Sequence, residues 1–312
     1  LNVAAGYAQV AEGTLVALAD AAAAEFANVH GTIPGSELVI LGLGRLGGCA
    51  LTHASDLDLI YLFTGSPEGP SNGPKPLGAA NYFNRLASRV TAALSVPTAA
   101  GPLYDVDTRL RPEGAKGMLV VSLDAFGRYQ REEAWTWEHM ALCRARPVYG
   151  SAEARKQVAA LVEEILRRPR DACRVAADAA TMRADIGRHK PPAGAFDVKL
   201  GPGGLVDLEF AIHVLQLTRH AGLDPRLDQA AVQLAEARLI DRNIVESQRL
   251  LTRMLVMMRL VAPAGHEPHP SSWELVAAAC GVEDHGALLA EHDAARQSIA
   301  ALWNSIKGEA DD

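Results

Sequence analysis

Apolar and polar positions change their rhythm along the chain, and the change separates two halves. From Asn2 to about Asn28, Val10, Leu15, Leu18, Ala22 and Phe26 recur at helical spacing in an alanine-rich segment. That pattern predicts one or two amphipathic helices, ended by Gly31 to Gly35. Short apolar runs near 37–42 and 57–63 predict two strands joined by a helix that begins at about Gly44. Gly65 to Gly78 has the composition of a flexible loop, too rich in Gly and Pro to pack, and is a candidate lid. Ala79 to Ser95 reads as a helix with Tyr82, Leu86, Val90 and Leu94 on one face. Leu103 to Val106 and Met118 to Val121 predict further strands, and helices resume at Leu123. Beyond Gly150 strand signals nearly vanish, apart from Phe196 to Leu200. Helical patterns there cover 151–167, 172–187, 204–220, 228–262, 271–280 and 284–307. The expected fold class is α+β: a domain with a mixed sheet and N-terminal helices over 1–150, then an all-α helical bundle over 151–312.

Composition narrows the classes of function. A formal charge of -7, from 30 basic and 37 acidic residues, argues against a general nucleic-acid binder, which needs a basic surface. Cys49, Cys143, Cys173 and Cys280 lie far apart without CxxC spacing, so neither a zinc site nor a disulfide framework is indicated, and a reducing cytoplasm fits best. No apolar run approaches the ~20 residues of a membrane span, and the start lacks the pattern of a signal peptide. The opening LNVAAGY has no initiator methionine, so the chain is expected to be a fragment of something longer.

Candidate chemistry concentrates in LVILGLGRLGGCALTHASDLDLIYLF, Leu38 to Phe63. Gly42, Gly44 and Gly47 satisfy G-x-G-x-x-G after a strand, but a dinucleotide site needs a full crossover helix and an acidic residue about 20 positions on. Here seven residues separate Gly48 from Asp56. So short a link suits a strand–turn–strand unit whose glycine turn, with Gly47, Gly48 and Ser55, holds a triphosphate beside the aspartates. Side chains alternate along a strand, so Asp56 and Asp58 point the same way, and two like charges held together call for a divalent cation. A plain tight turn with strand-capping aspartates is the structural alternative. Farther on, Asp105-Val106-Asp107-Thr108-Arg109-Leu110-Arg111 ends another predicted strand. Asp107 is the candidate third carboxylate of a two-metal phosphoryl or nucleotidyl transfer site. Arg109 and Arg111 either face the phosphates or form salt bridges to the acidic strand.

These segments carry a family resemblance. Gly42-Leu43-Gly44-Arg45-Leu46-Gly47-Gly48, Ser55-Asp56-Leu57-Asp58, Tyr104 to Pro112, Glu133 to Arg146 and Lys199 to Phe210 occur in the order seen in the glutamine synthetase adenylyltransferase family, which the chain resembles over most of its length. The resemblance implies a polymerase-β-like nucleotidyltransferase domain followed by a helical bundle. It also implies transfer of AMP from ATP to a tyrosine of glutamine synthetase, with Asp56, Asp58 and Asp107 binding two Mg2+ ions and the Gly47-Gly48 turn with Ser55 holding the ATP phosphates. Family members join an AMP-removing half, which works by phosphorolysis, to an AMP-adding half. Glu133 to Arg146, EAWTWEHMALCRAR, resembles the adding half. Phosphorolytic removal and a catalytically silent nucleotide- or PII-binding module are the alternatives. PII and glutamine are the implied regulators. Arg45 departs from the lysine common in the family, which keeps the charge but alters its geometry.

Other segments have competing readings. Trp135 and Trp137 read as parts of a core helix joining the domains. Glu138, Arg144 and Arg146, charged in so apolar a segment, are expected to face one another or the site. Lys199 to Gly204 leads into a helix whose amides, with Lys199 as point charge, suit an anion. The alternative is a simple glycine turn with Asp207 and Glu209 complementing the helix dipole. His266-Glu267-Pro268-His269 reads as a solvated loop rather than a zinc site.

Overall fold

A computed structural model describes residues 2–65, 69–262 and 267–308. The chain divides into two compact units, Asn2–Ile165 and Leu166–Asp312. The division falls one helix beyond the boundary expected near Gly150. Helix Ala152–Leu166 belongs to the first unit because Leu161 packs over Gly127 and Glu164 takes both arms of the Arg131 guanidinium at 2.8 Å.

The first unit opens with α1 (Asn2–His30), one continuous helix rather than two. Its buried stripe is Ala4, Ala8, Ala11, Leu15, Ala19, Ala22 and Phe26, spaced by three and four, whereas Val10 is exposed. Small alanines on that face let the helix lie close to the sheet. Strand β1 (Leu38–Gly42) pairs antiparallel with β2 (Leu57–Phe63), with Gly42 opposite Leu59. Between them lies α2 (Gly44–Gly47), a single turn. Helix α3 (Ala79–Ser95) buries Tyr82, Leu86, Val90 and Leu94, as its spacing predicts. Phe83 stacks on Phe63 at 4.8 Å, closing that face of the core.

Two short strands share the free edge of β2, both parallel to it. Strand β3 (Val106–Asp107) pairs with Leu57 and Asp58, and β4 (Val120–Ser122) with Tyr61 to Phe63. The strand expected at Leu103–Val106 therefore begins later. The Tyr104 amide is already donated to the Leu94 carbonyl at the end of α3, and the first ladder bond is Leu57 N–H to the Asp105 carbonyl. Next come α4 (Leu123–Glu132), capped by the Ser122 hydroxyl, and α5 (Thr136–Leu142). Strand β5 (Arg146–Tyr149) then lies antiparallel on the other edge of β1. This strand is not evident in the apolar pattern, because arginine and proline open it. The sheet order is β3-β2-β1-β5, with β4 beside β2.

The expected flexible lid over Gly65–Gly78 is anchored where it is described. Asn72 Oδ1 accepts from the Thr32 amide at 2.8 Å, Lys75 N–H donates to the Val29 carbonyl, and Gly73 N–H to the His30 carbonyl. Glycine lets this segment pack: a Cβ on Gly31 would sit 2.3 Å from Asn72 Oδ1.

Helix Ala152–Leu166 is α6, and the second unit is built from α7 (Ala172–His189), α8 (Leu205–Arg219), α9 (Leu227–Glu236), α10 (Arg242–Val261), α11 (Trp273–Cys280) and α12 (His285–Gly308). The single pattern over 228–262 is two helices, broken where Arg238 takes a left-handed conformation at φ 60°. Phe196 to Leu200 forms turns rather than a strand. Asp197 Oδ1 draws the Lys199 and Leu200 amides onto itself at 3.0 and 2.9 Å, which bends the backbone away from an extended path. Of the His266–His269 segment, His266 lies outside the described residues. His269 caps the turn at Ser271, and no metal cluster includes it among the described residues.

Candidate active site

Three carboxylates meet where β1 ends and β2 begins. The parallel register of β3 on β2 puts Asp107 opposite Asp58, and alternation along β2 brings Asp56 to the same side. One oxygen from each of Asp56, Asp58 and Asp107 falls within 4.8 Å of the others. Asp56 is exposed and the other two are half-buried, so the cluster opens to solvent. A set of hard oxygen donors this close, on an open face, fits a divalent cation of the magnesium type. Asp105, by contrast, is exposed and outside the cluster.

The glycine turn faces this cluster at van der Waals range. Leu43 N–H donates to the Asp58 carbonyl at 2.9 Å, tying the turn to β2. Gly44 has φ 52°, and a Cβ there would lie 2.1 Å from Asp58 Oδ2. Glycine is needed twice over, for the backbone angle and for the space. Gly44→Ala is accordingly expected to lower stability by roughly 1–2 kcal/mol from the left-handed angle alone and to displace the Asp58 carboxylate. Urea denaturation measures the first effect. The Gly47 and Gly48 amides point inward, to the Leu43 and Gly44 carbonyls. Gly47 and Gly48 therefore shape the turn through their missing side chains rather than by donating to a ligand. Ser55 Oγ accepts from the Thr52 amide at 3.0 Å and holds the approach to Asp56.

The two arginines of the third strand differ. Arg109 lays its guanidinium along the Asp107 carboxylate, with Nε 2.9 Å from Oδ2, while its backbone amide donates to Oδ1 at 2.8 Å. These bonds hold the Asp107 carboxyl below the usual carboxylate range. The Arg109 side chain is itself 78% exposed. Arg111 instead donates to the Thr108, Gly117 and Met118 carbonyls and staples the loop after β3.

In α5 the tryptophans do not form a core. Trp135 is 70% exposed and Trp137 36%, whereas Glu138 is 4% and Arg144 6% exposed. Glu138 accepts from the Trp135 amide at 2.9 Å and the Tyr129 hydroxyl at 3.0 Å, and burial raises its carboxyl pKa. Arg146 donates from Nε to the Gly47 carbonyl at 3.1 Å and pairs with Glu12 of α1. No spacing in the sequence links Glu12 to this turn.

Lys199 belongs to the second unit. The amides beside it are already engaged: Gly203 with Asp207, Gly204 with Gly201, Leu205 with Val198 and Val206 with Lys199. The motif is thus a closed glycine turn, locked by Asp207 onto Arg183 at 2.5 Å.

A mixed sheet whose strand ends gather carboxylates against a glycine turn, followed by a helical unit, is the α+β architecture expected of a nucleotidyltransferase domain. The family profile described as glutamate-ammonia ligase adenylyltransferase matches residues 2–161, and the chain belongs to that family. A second profile, GlnD PII-uridylyltransferase, matches 177–306. Among curated relatives, bifunctional glutamine synthetase adenylyltransferase/adenylyl-removing enzymes from Mesorhizobium japonicum and Brucella suis are 47% and 39% identical, over 70% and 85% of this chain. The enzyme of the same description from Rhizobium meliloti is 46% identical over 68%. The chain spans only 22–28% of the length of these relatives. Among the described residues no helix is long and apolar enough to cross a membrane.

Proposed function

We propose that this chain holds an AMP-adding site, transferring AMP from ATP to a tyrosine hydroxyl of glutamine synthetase and so inactivating it in nitrogen regulation. The observation that carries the reading is the convergence of Asp56, Asp58 and Asp107 within 4.8 Å, against a turn in which Gly44 leaves room for the Asp58 carboxylate. Those three residues would hold Mg2+. A metal held there would supply Lewis acidity for deprotonating a hydroxyl of pKa about 10 and for offsetting pyrophosphate charge. The protein's own part is positioning. Asp58 is fixed by its strand and by the turn, and Asp107 by its parallel register on β2. Asp107, held low by Arg109, suits a cation ligand better than a proton acceptor. Arg109, exposed and bonded to Asp107 beside the cluster, is the residue to meet the phosphates. The likeness of 177–306 to a PII-uridylyltransferase supports regulation by PII through the second unit, and glutamine is the other effector of this reading. The cysteines Cys49, Cys143, Cys173 and Cys280 are all free, in keeping with a cytoplasmic setting.

The test is transfer of label from ATP marked in its α-phosphate to glutamine synthetase. Label is expected on the synthetase with Mg2+ and none after chelation. Release of ADP from modified synthetase and phosphate, with no forward transfer, would replace this reading with the AMP-removing one. ATP binding with neither reaction would leave a regulatory module.

A further inference from the structure

The turn that sets Gly44 against Asp58 is fastened from behind by one side chain. Arg146, at the start of β5, donates from Nε to the Gly47 carbonyl at 3.1 Å and from a terminal nitrogen to the Leu46 carbonyl at 3.2 Å. These are the last carbonyls of α2, the end of a helix at which a cation is favourable. The remaining arms of the guanidinium go to both carboxylate oxygens of Glu12, one of them at 3.1 Å. Glu12 follows the buried Ala11 and precedes the buried Leu15 on α1, so it offers the arginine a fixed point in another element. Arg146 is 28% and Glu12 25% exposed, which shields the pair from solvent screening. The backbone around them is tightly fitted as well, because a Cβ on Gly47 would fall 1.8 Å from the Arg144 carbonyl. Contact continues forward to the carboxylates. Gly47 N–H donates to the Leu43 carbonyl and Gly48 N–H to the Gly44 carbonyl, at 2.8 and 3.2 Å, so the single turn shifts as one body. At its front, Leu43 N–H holds the Asp58 carbonyl at 2.9 Å, and a Cβ on Gly44 would meet Asp58 Oδ2 at 2.1 Å. Where Arg146 sets the end of α2, it also sets the surface on which the Asp58 carboxylate rests.

We infer that Arg146 is a positioning residue of the carboxylate site: paired with Glu12, it fixes the glycine turn and, through the turn, the Asp58 carboxylate. This rests on the reading of Asp56, Asp58 and Asp107 as a cation site. Groups that orient a metal ligand govern affinity without touching the metal. Arginine suits the role because its planar fork serves two carbonyls and two carboxylate oxygens at once. Lysine offers only a point charge on a flexible stem.

The experiment is titration with Mn2+, followed by the paramagnetic resonance of the free ion, on the wild type, Arg146→Met, Arg146→Lys and Glu12→Gln. Hydrogen exchange across residues 43–49 and the urea midpoint are measured beside it. Arg146→Met is expected to weaken Mn2+ about tenfold, the lower end of the range for losing a group that orients a metal ligand. Arg146→Lys, which keeps the charge without the fork, should recover only part of the loss. Glu12→Gln lies in another element and should shift the affinity the same way by less, and exchange across 43–49 should quicken in all three variants. A purely structural role would lower the urea midpoint while leaving the Mn2+ affinity of the folded chain as in the wild type. That result overturns the inference, as does full recovery by lysine. If Arg146→Met fails to fold, Glu12→Gln with unchanged exchange and unchanged affinity overturns it instead. A wild-type chain that binds no Mn2+ ends the cation reading of the three carboxylates, and the exchange data then decide alone whether Arg146 and Glu12 hold the turn.

Discussion

The double substitution Asp56→Asn, Asp58→Asn is expected to lower AMP transfer by at least about a hundredfold, the scale at which loss of a preorganised electrostatic contact is felt in a transition state. Asparagine keeps the size and the strand position of each side chain while removing the charge and turning one acceptor oxygen into an NH2 donor. The fold should stand, because Asp56 is exposed and Asp58 half-buried, and because removing two neighbouring negative charges relieves repulsion with Asp107. A melting temperature equal to or above that of the wild type, together with collapsed transfer, separates chemistry from unfolding. The same variant should no longer gain thermal stability from added Mg2+, since binding to the native state is what confers that gain. Unchanged turnover would remove these carboxylates from the mechanism.

Asp207→Ala carries the largest expected effect on stability, about 3–5 kcal/mol, the cost of stranding one partner of a buried ion pair. Asp207 is 5% exposed, accepts from Arg183 Nε at 2.5 Å and from the Gly203 amide at 2.6 Å. Among the described residues, truncation leaves the guanidinium with the Leu200 carbonyl at 3.0 Å and takes the acceptor from the Gly203 N–H. Asp207→Asn keeps one acceptor oxygen and should cost less. Hydrogen exchange of the α8 amides reads the effect in the second unit. Exchange as slow as in the wild type would mean that the turn is held by other contacts.

Much of the site was legible because its determinants are local. Two aspartates alternating on one strand share a face by geometry, and a seven-residue link from Gly48 to Asp56 is too short for a crossover helix. Asp107 was legible as a strand-end carboxylate of matching type, to be set beside Asp56 and Asp58. Amphipathic helices such as Ala79–Ser95 followed from spacing alone. The tryptophans misled because apolar character suggests burial, while in α5 the buried positions are Glu138, Met140 and Leu142.

The sequence by itself determined the candidate chemistry: the order of glycine turn, paired aspartates and third carboxylate, with the helical half following in the chain. Tertiary structure alone decided the rest, because it concerns groups far apart in the chain. The sequence had already favoured Asp107 over Asp105, and register on β2 is what physically sets it opposite Asp58. The packing of β5 against β1 brought Arg144 and Arg146 behind the turn, and α1 supplied Glu12 from 134 residues away. Hydrogen bonding decided that Arg111 staples a loop and that the Lys199 turn is closed. Sequence spacing constrains neighbours along an element. Which element lies beside another is set by burial of the whole core.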